Sequence, residues 1–365
     1  MLADERREAI LRAVERQGSI TVKALAEEMG VSAVTLRQDV RELAGRGLLT
    51  RVHGGARALA PDAAAPTQVP AEFPASAPVP AAEKYAVGLV VPPGGYYYAE
   101  VIRGVQKAAR ALGVRVVLAV SGESLAENRE QVRQLMADGV NSLLLMLHPG
   151  LRLDETDEWL STLEVPAVLV ERRAGIRAGR LEQVASDHAY GAALAVRHLA
   201  SLGYDQVALV ARVESPNTAL LSVGYADAVK AMGLRPGPEY RVVTNGDAAP
   251  ADARFDEVVR AVEAGEVRAA LVHNDIDAIA LVGILRARGL RVPEDLALVT
   301  YDDEVAEMSE VPLTAVAPPK QAVGSWALDL AVRRLSDPAT PLAEILLRPE
   351  LRVRASCGAD RRADA

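Results

Sequence analysis

The chain has 365 residues, 50% hydrophobic and 25% charged, with a formal net charge of −8. That length exceeds one ordinary domain and suggests two or three, and the composition is that of a soluble folded protein. The lone cysteine, Cys357, excludes a disulfide framework within the chain and any all-cysteine metal site, and it fits a reducing compartment.

The start, MLADERREAI, lacks the basic-then-apolar pattern of a signal peptide. No stretch is long and apolar enough to cross a bilayer. A cytoplasmic protein with no membrane partner is expected. Charge is uneven along the chain. Residues 1–57 hold ten Lys/Arg against eight Asp/Glu, a net of +2, while the rest holds 31 against 41, a net of −10. A basic head on an acidic body fits a DNA-contacting unit attached to a separate domain.

Three helices are predicted in the head. The first runs from Asp4 to Arg16, with Ile10, Leu11 and Val14 inward and Gly18 as its stop. Thr21 can cap the second, whose inner positions are Val22, Leu25, Ala26 and Met29. After Gly30 and Val31, Ser32 can cap a third, where Leu36, Val40 and Leu43 share a face. Its outward positions are Ala33, Thr35, Arg37, Gln38 and Arg41. Short, polar and basic side chains there can reach base edges and phosphates in a major groove. LLTRVHGGA then reads as two short strands with a turn, a wing carrying Arg51 and His53. A small three-helix domain with a merely solvated third helix is the competing reading of this spacing.

Residues 58–83 contain ten Ala and six Pro among 26. Proline removes backbone donors and alanine has little to bury, so this stretch reads as a semi-extended linker. From residue 84 to 356 apolar runs alternate with amphipathic stretches, with a short tail at 357–365. KYAVGLVVP, VRVVLAV, SLLLML, PAVLVERR, QVALVA, YRVVT, RAALVHND and LALVTYDD read as strands, with helices between them. The runs are continuous rather than alternating, the pattern of parallel sheet covered on both faces. The fold class is α/β, with two doubly wound parallel-sheet subdomains.

Nothing in the sequence points to catalysis. Gly94-Gly95 is a turn rather than a phosphate-cradling loop. The five histidines show no metal spacing, and no nucleophile elbow is present. No catalytic residue, cofactor or metal is expected.

RREAIL…GSITVKALAEEMGVSAVTLRQDVRELAGRGLLTRVHGGA strongly resembles the winged helix-turn-helix of the DeoR family. The most specific parts are GVS-x-x-T-x-R-x-D and R-V-H-G-G-A. The resemblance implies that residues 32–44 form the recognition helix and that Arg51 and His53 sit in the wing. The family usually has two consecutive basic residues where this chain has Arg37-Gln38. Losing one charge weakens phosphate affinity, while Gln38 can read adenine.

Residues 85–354 resemble the effector-binding part of the LacI/GalR family, which has the fold of periplasmic sugar-binding proteins. The motifs are VGLVVP…YYYAEVIRGVQKAA, VLVERR, ASDHAYGAALAVRHLASLGY and AALVHNDIDAIALVGILRARGLRVPEDLALVTYDD…PLTAV. The resemblance implies six ligand residues. Tyr97 and Tyr98 stand where the family has aromatic residues after the first strand, and a ring there can pack on a sugar or base. Helix-start packing is the alternative. Glu171 and Arg172 stand where the family often has Asp-Arg, able to fix hydroxyls by charged hydrogen bonds. A salt-bridged strand terminus is the alternative. Asn274 and Asp302 match the Asn of an Asn-Asp pair and the first Asp of an Asp-Asp pair, at strand ends where open α/β sheets bind ligands. Asp275 and Asp303 are expected to serve structure, and Asp187 to cap a helix.

Leu221 stands where the family commonly has Arg, and Pro318 where a Gln often follows PLT. Both changes imply a less polar pocket. The resemblance further implies a homodimeric repressor of carbohydrate-utilisation genes, with operator DNA and a small sugar-like effector as partners. A nucleoside or phosphorylated sugar, and a solute-binding protein for sugar uptake, are the alternatives. The family's hinge helix is replaced here by the Pro/Ala-rich stretch, so signalling through dimer geometry and head spacing is expected.

Overall fold

The computed structural model describes residues 84–359 except 93–95, 123, 148–150, 152, 173–180, 214 and 244–252. In the head it describes residues 6, 9, 10, 13, 14, 19–21, 25, 29, 36, 40, 50–52 and 55–57. The predicted linker at 58–83 lies outside the described residues. The chain divides into two compact units, Met1–Ala77 and Pro78–Ala365.

In the first unit Ile10, Ala13, Val14, Leu25, Leu36 and Val40 are buried. Ile10, Val14, Leu25, Leu36 and Val40 are predicted inward positions, so the helical periodicity gives the core. The wing strands are β2 (Thr50–Val52) and β3 (Gly55–Arg57), paired antiparallel. A further strand, β1 (Ser19–Thr21), pairs antiparallel with β3 and completes a three-stranded sheet. Three residues carry too little pattern for such a strand to stand out in the sequence. The unit is a winged helix-turn-helix.

The second unit has two lobes. The first begins with β4 (Tyr85–Val91), α1 (Tyr98–Leu112), β5 (Val114–Val120), α2 (Leu125–Ala137), β6 (Ser142–Leu145), α3 (Leu153–Leu160), β7 (Ala167–Val170) and β8 (Glu182–Ser186). Ser124 and Glu127 form a capping box at the start of α2. The chain then crosses to the second lobe. There it forms α4 (His188–Ser201), β9 (Ala208–Arg212), α5 (Thr218–Ala231), β10 (Glu239–Val242), α6 (Asp256–Glu263), β11 (Ala269–Val272), α7 (Asp275–Ala287), β12 (Ala297–Tyr301) and β13 (Thr314–Ala317). It returns to the first lobe as α8 (Lys320–Ser336) and β14 (Glu344–Leu347), and crosses again to add β15 (Glu350–Arg352).

The first sheet has the order β14-β8-β7-β6-β4-β5, all parallel. The second has the order β10-β9-β11-β12-β13-β15, parallel except for β15. Every residue of β6, β7, β11, β12 and β13 is buried. Each sheet carries a hydrophobic cluster on both faces. That explains the continuous apolar runs.

Helix α8 docks on α1 by backbone approach. A Cβ on Gly104 would meet the Gln321 carbonyl oxygen at 2.0 Å, and one on Gly324 would meet that of Val101 at 2.1 Å. The docked pair ties the end of the chain into the lobe where the sheet began.

Candidate functional site

The cleft between the lobes is edged by strand ends. After β7 the chain turns at Glu171 with φ +52°, a left-handed conformation that a side-chain-bearing residue rarely adopts. Glu171 is buried. Its Oε1 accepts from Tyr97 Oη at 2.7 Å and Ser186 Oγ at 2.8 Å. Its Oε2 accepts from Ser186 N at 3.1 Å and lies 3.3 Å from His188 Nε2. Burial works to raise its pKa, but His188, Tyr97 and the Ser186 N–H outweigh that and hold it at about 2.

His188 is the first residue of α4, just past the first crossing. Its Nδ1 lies 3.1 Å from Tyr301 Oη at the end of β12. Tyr301 is fully buried, and burial raises its phenol pKa well above the usual value. Half-buried Tyr97 and buried Glu171, His188 and Tyr301 thus form one polar chain from the first lobe into the second.

Arg172 is fixed beside it. Nε donates to the Leu147 carbonyl at 2.8 Å, Nη1 to that of Glu171 at 2.6 Å, and Nη2 to Tyr98 Oη at 2.9 Å. Glu171 and Arg172 line a cavity of about 270 Å³. Leu147, Leu160 and Leu169 form its first-lobe wall, and Pro216, Asn217 and Leu220, at the start of α5, its second-lobe wall.

The second lobe's edge is differently built. Asp302 follows β12 with φ +96°, and its Oδ2 accepts from Tyr96 Oη at 2.7 Å. Burial raises the Asp302 pKa, against the Tyr96 bond and the Lys320 charge. Lys320 Nζ donates to the Asp302 carbonyl and pairs with Glu304 at 2.7 Å. Asn274 caps α7, its Oδ1 accepting from Ile276 N at 3.2 Å. Asp275 accepts from the backbone N–H groups of Glu304, Val305 and Asp303 at 2.7, 3.1 and 3.3 Å. Burial above all pushes its pKa up to about 6. Asp303 is held by Arg352 and Arg354, each at 2.7 Å. Asp277 takes Arg212 in a fork at 2.6 and 3.0 Å. Burial drives the His273 pKa down to about 3, and its Nδ1 has no partner among the described residues.

The six residues singled out from sequence fall into two groups. Tyr97 with Glu171, and Tyr98 with Arg172, are bonded pairs at the cavity side. Asn274 and Asp302 stand on the opposite strand ends, outside the cavity lining. Asp187 caps α4 through Tyr190 N at 3.0 Å. Leu221 is fully buried, and Pro318 lies in the second crossing. Sequence reasoning missed Tyr96, His188, Tyr301, Lys320 and the Arg212–Asp277 pair. Only Tyr96 carried a signal, as the first of three adjacent tyrosines. Arg51 lies in β2, whereas Ser32, Ala33, Thr35, Arg37, Gln38, Arg41 and His53 lie outside the described residues. Among the described residues no group of three or more His, Cys, Asp or Glu could hold a metal ion, and no helix is long and apolar enough to cross a membrane.

Two parallel-sheet lobes about a cleft, with three crossings between them, define the periplasmic-binding-protein-like class. A profile for the periplasmic binding protein-like domain matches residues 196–357, and one for the DeoR-like helix-turn-helix domain matches residues 6–61. The HTH-type transcriptional regulator CelR of Thermobifida fusca is 32% identical over 273 residues, covering 71% of this chain and 76% of CelR. The HTH-type transcriptional repressor PurR of Aliivibrio fischeri strain MJ11 is 26% identical, covering 71% of this chain and 77% of PurR. Among solved structures, the CelR–cellobiose complex covers 92% of this chain and 99% of its own, with TM-score 0.63 and 25% identity. A LacI family regulator from Enterococcus faecium with bound ribose shares the fold, with TM-score 0.60 and 20% identity over 74% of this chain and 98% of its own. The chain belongs to the LacI family of DNA-binding transcriptional regulators, and it carries a DeoR-like head.

Proposed function

We propose that this regulator is a cytoplasmic, homodimeric repressor of carbohydrate-utilisation genes. Its operator affinity is set by a small sugar-like effector held between the lobes at Glu171 and Arg172. The observation that carries this reading is the cavity that both lobes line, with a largely apolar wall of leucines and a polar set that includes the fixed Glu171 and Arg172, Asp157, His188 and Asn217. The leucines take the apolar face of a ring, and Arg172 and Asn217 take its hydroxyls. Tyr97 and Tyr98 act through the two charged residues they bond. Asn274 and Asp302 form the opposing edge of the cleft, outside the cavity lining. CelR was solved with cellobiose and the Enterococcus regulator with ribose, which supports the sugar class. At about 270 Å³ the cavity falls just below the usual range of roughly 300–1,000 Å³, room for a single ring.

At the other end of the chain, Ser32, Ala33, Thr35, Arg37, Gln38, Arg41, Arg51 and His53 contact operator DNA. The effector changes DNA affinity by binding one lobe arrangement better than the other. The work is binding rather than catalysis. A thermal-shift screen of monosaccharides, repeated with Arg172→Ala, tests the pocket. A sugar that stabilises both proteins equally removes Arg172 from the site. Gel shifts on DNA from upstream of the coding region test the head. Arg37→Ala and Arg51→Ala each weaken binding and flatten its salt dependence; unchanged binding in both removes the DNA surface.

A further inference from the structure

The Asp302 carboxylate lies outside the cavity lining, as does Asn274. Asp302 is buried, and its Oδ2 already accepts from Tyr96 Oη at 2.7 Å. Tyr96 comes from the first lobe, ahead of α1, and Asp302 from the second. A phenol of the chain itself therefore stands where a hydroxyl entering from the cleft would bond. Burial and the neighbouring carboxylate raise the Tyr96 pKa, so the phenol remains a donor across the neutral range.

The segment is pinned on both sides. Tyr97, the next residue, gives its hydroxyl to Glu171. Lys320 Nζ lies 5.1 Å from the Tyr97 ring centroid and donates to the Asp302 carbonyl. Two adjacent tyrosines thus serve one buried carboxylate on each side of the cleft. A carboxylate left without a donor in such a site is costly, so this arrangement keeps Asp302 satisfied without ligand.

We propose that Tyr96 is a specificity-determining residue of the sensor. Its phenol is a built-in hydroxyl for Asp302, and its ring keeps a second sugar ring from reaching that carboxylate. The chain therefore selects single-ring effectors over larger polyhydroxylated ones. This rests on the reading of the cavity as the effector site.

The full-length protein tests it in two measurements. Without ligand, thermal denaturation of Tyr96→Phe, Asp302→Ala and the double variant reports the contact. The double variant is expected to melt within about 2 °C of the weaker single, because both singles break one bond. Fully additive losses overturn the proposal. Calorimetric titration with D-ribose and cellobiose then reports selectivity. Tyr96→Ala is expected to raise cellobiose affinity about tenfold or more, a gain that Asp302→Ala cancels. Its effect on ribose is expected to stay within about threefold. No gain for cellobiose overturns the proposal, as does a gain that survives Asp302→Ala. A cellobiose gain that Asp302→Ala cancels, with no loss of ribose binding on Arg172→Ala, leaves Tyr96 in its role and removes the cavity instead. Loss of ribose binding on Arg172→Ala with no cellobiose gain does the reverse.

Discussion

The two edges of the cleft are both charged, yet they are built for different work. On the second lobe, four acidic side chains are committed to fixed protein partners. Asp275 holds three backbone N–H groups, Asp277 holds Arg212, Asp303 holds two arginines, and Asp302 takes Tyr96. On the first lobe, Glu171 and Arg172 are fixed just as firmly but open onto a cavity. The difference teaches that buried charge alone does not mark a binding site. A saturated edge fits scaffold, and the effector site proposed above falls on the edge that is fixed yet faces space.

The largest effect should come from the scaffold edge. Asp275→Ala strands three backbone donors and should cost about 3 kcal/mol or more, read as a lower Tm. A loss under about 1 kcal/mol would break the contrast between the edges. Next comes Arg172→Ala, expected to weaken effector binding ten- to a hundredfold, about 1.5–3 kcal/mol for a charged hydrogen bond, with stability changed less than by Asp275→Ala. Equal losses of stability in the two variants would make Arg172 scaffold as well.

The pH response should then separate the edges by sign. Glu171 is held at about 2, below the roughly 4.3 of an unfolded glutamate. Its stabilisation is complete above that unfolded value and is lost as pH falls toward 2. Asp275 is pushed up to about 6, above the roughly 3.9 of an unfolded aspartate. Its contribution is greatest below that unfolded value and declines as pH rises through 6. Tm profiles of Glu171→Gln and Asp275→Asn should flatten in those two windows respectively, and the same window for both would refute the assignment.

Two smaller effects refine the picture. Asn274→Ala should cost about 1 kcal/mol of stability as a lost helix cap while effector affinity stays within about threefold. A larger affinity loss would move Asn274 into the site. His273 is neutral and leaves Nδ1 without a described partner. His273→Phe should therefore stay within about 1 kcal/mol of the wild type in denaturant unfolding. A larger loss would mean that Nδ1 carries a bond.

Much of this architecture was legible because strands covered on both faces read as unbroken apolar runs. β8 was not, since Glu182–Ser186 mixes polar and apolar residues, and β14 and β15 are partly exposed edge strands. Helix α8 is buried on more than one side and carries Gly324 at its contact, so it lacks a clean amphipathic stripe. At the site, Glu171 and Arg172 were legible as adjacent residues in a strand-end motif. His188 was not, because its partners Glu171 and Tyr301 lie 17 and 113 positions away. Pairing at that distance is set by the crossings, which no local pattern records.

Those crossings also bear on how the protein is made. The first lobe opens at Tyr85 but receives α8 and β14 only from residues 320–347. During synthesis that lobe therefore waits, one sheet edge and one helix face uncovered, until almost the whole chain has left the ribosome. The second lobe gains all but its last strand earlier and can consolidate first. A premature stop near residue 318 would leave the sequence-early lobe unfinished, although the elements lost, α8 and β14, follow the second lobe in sequence.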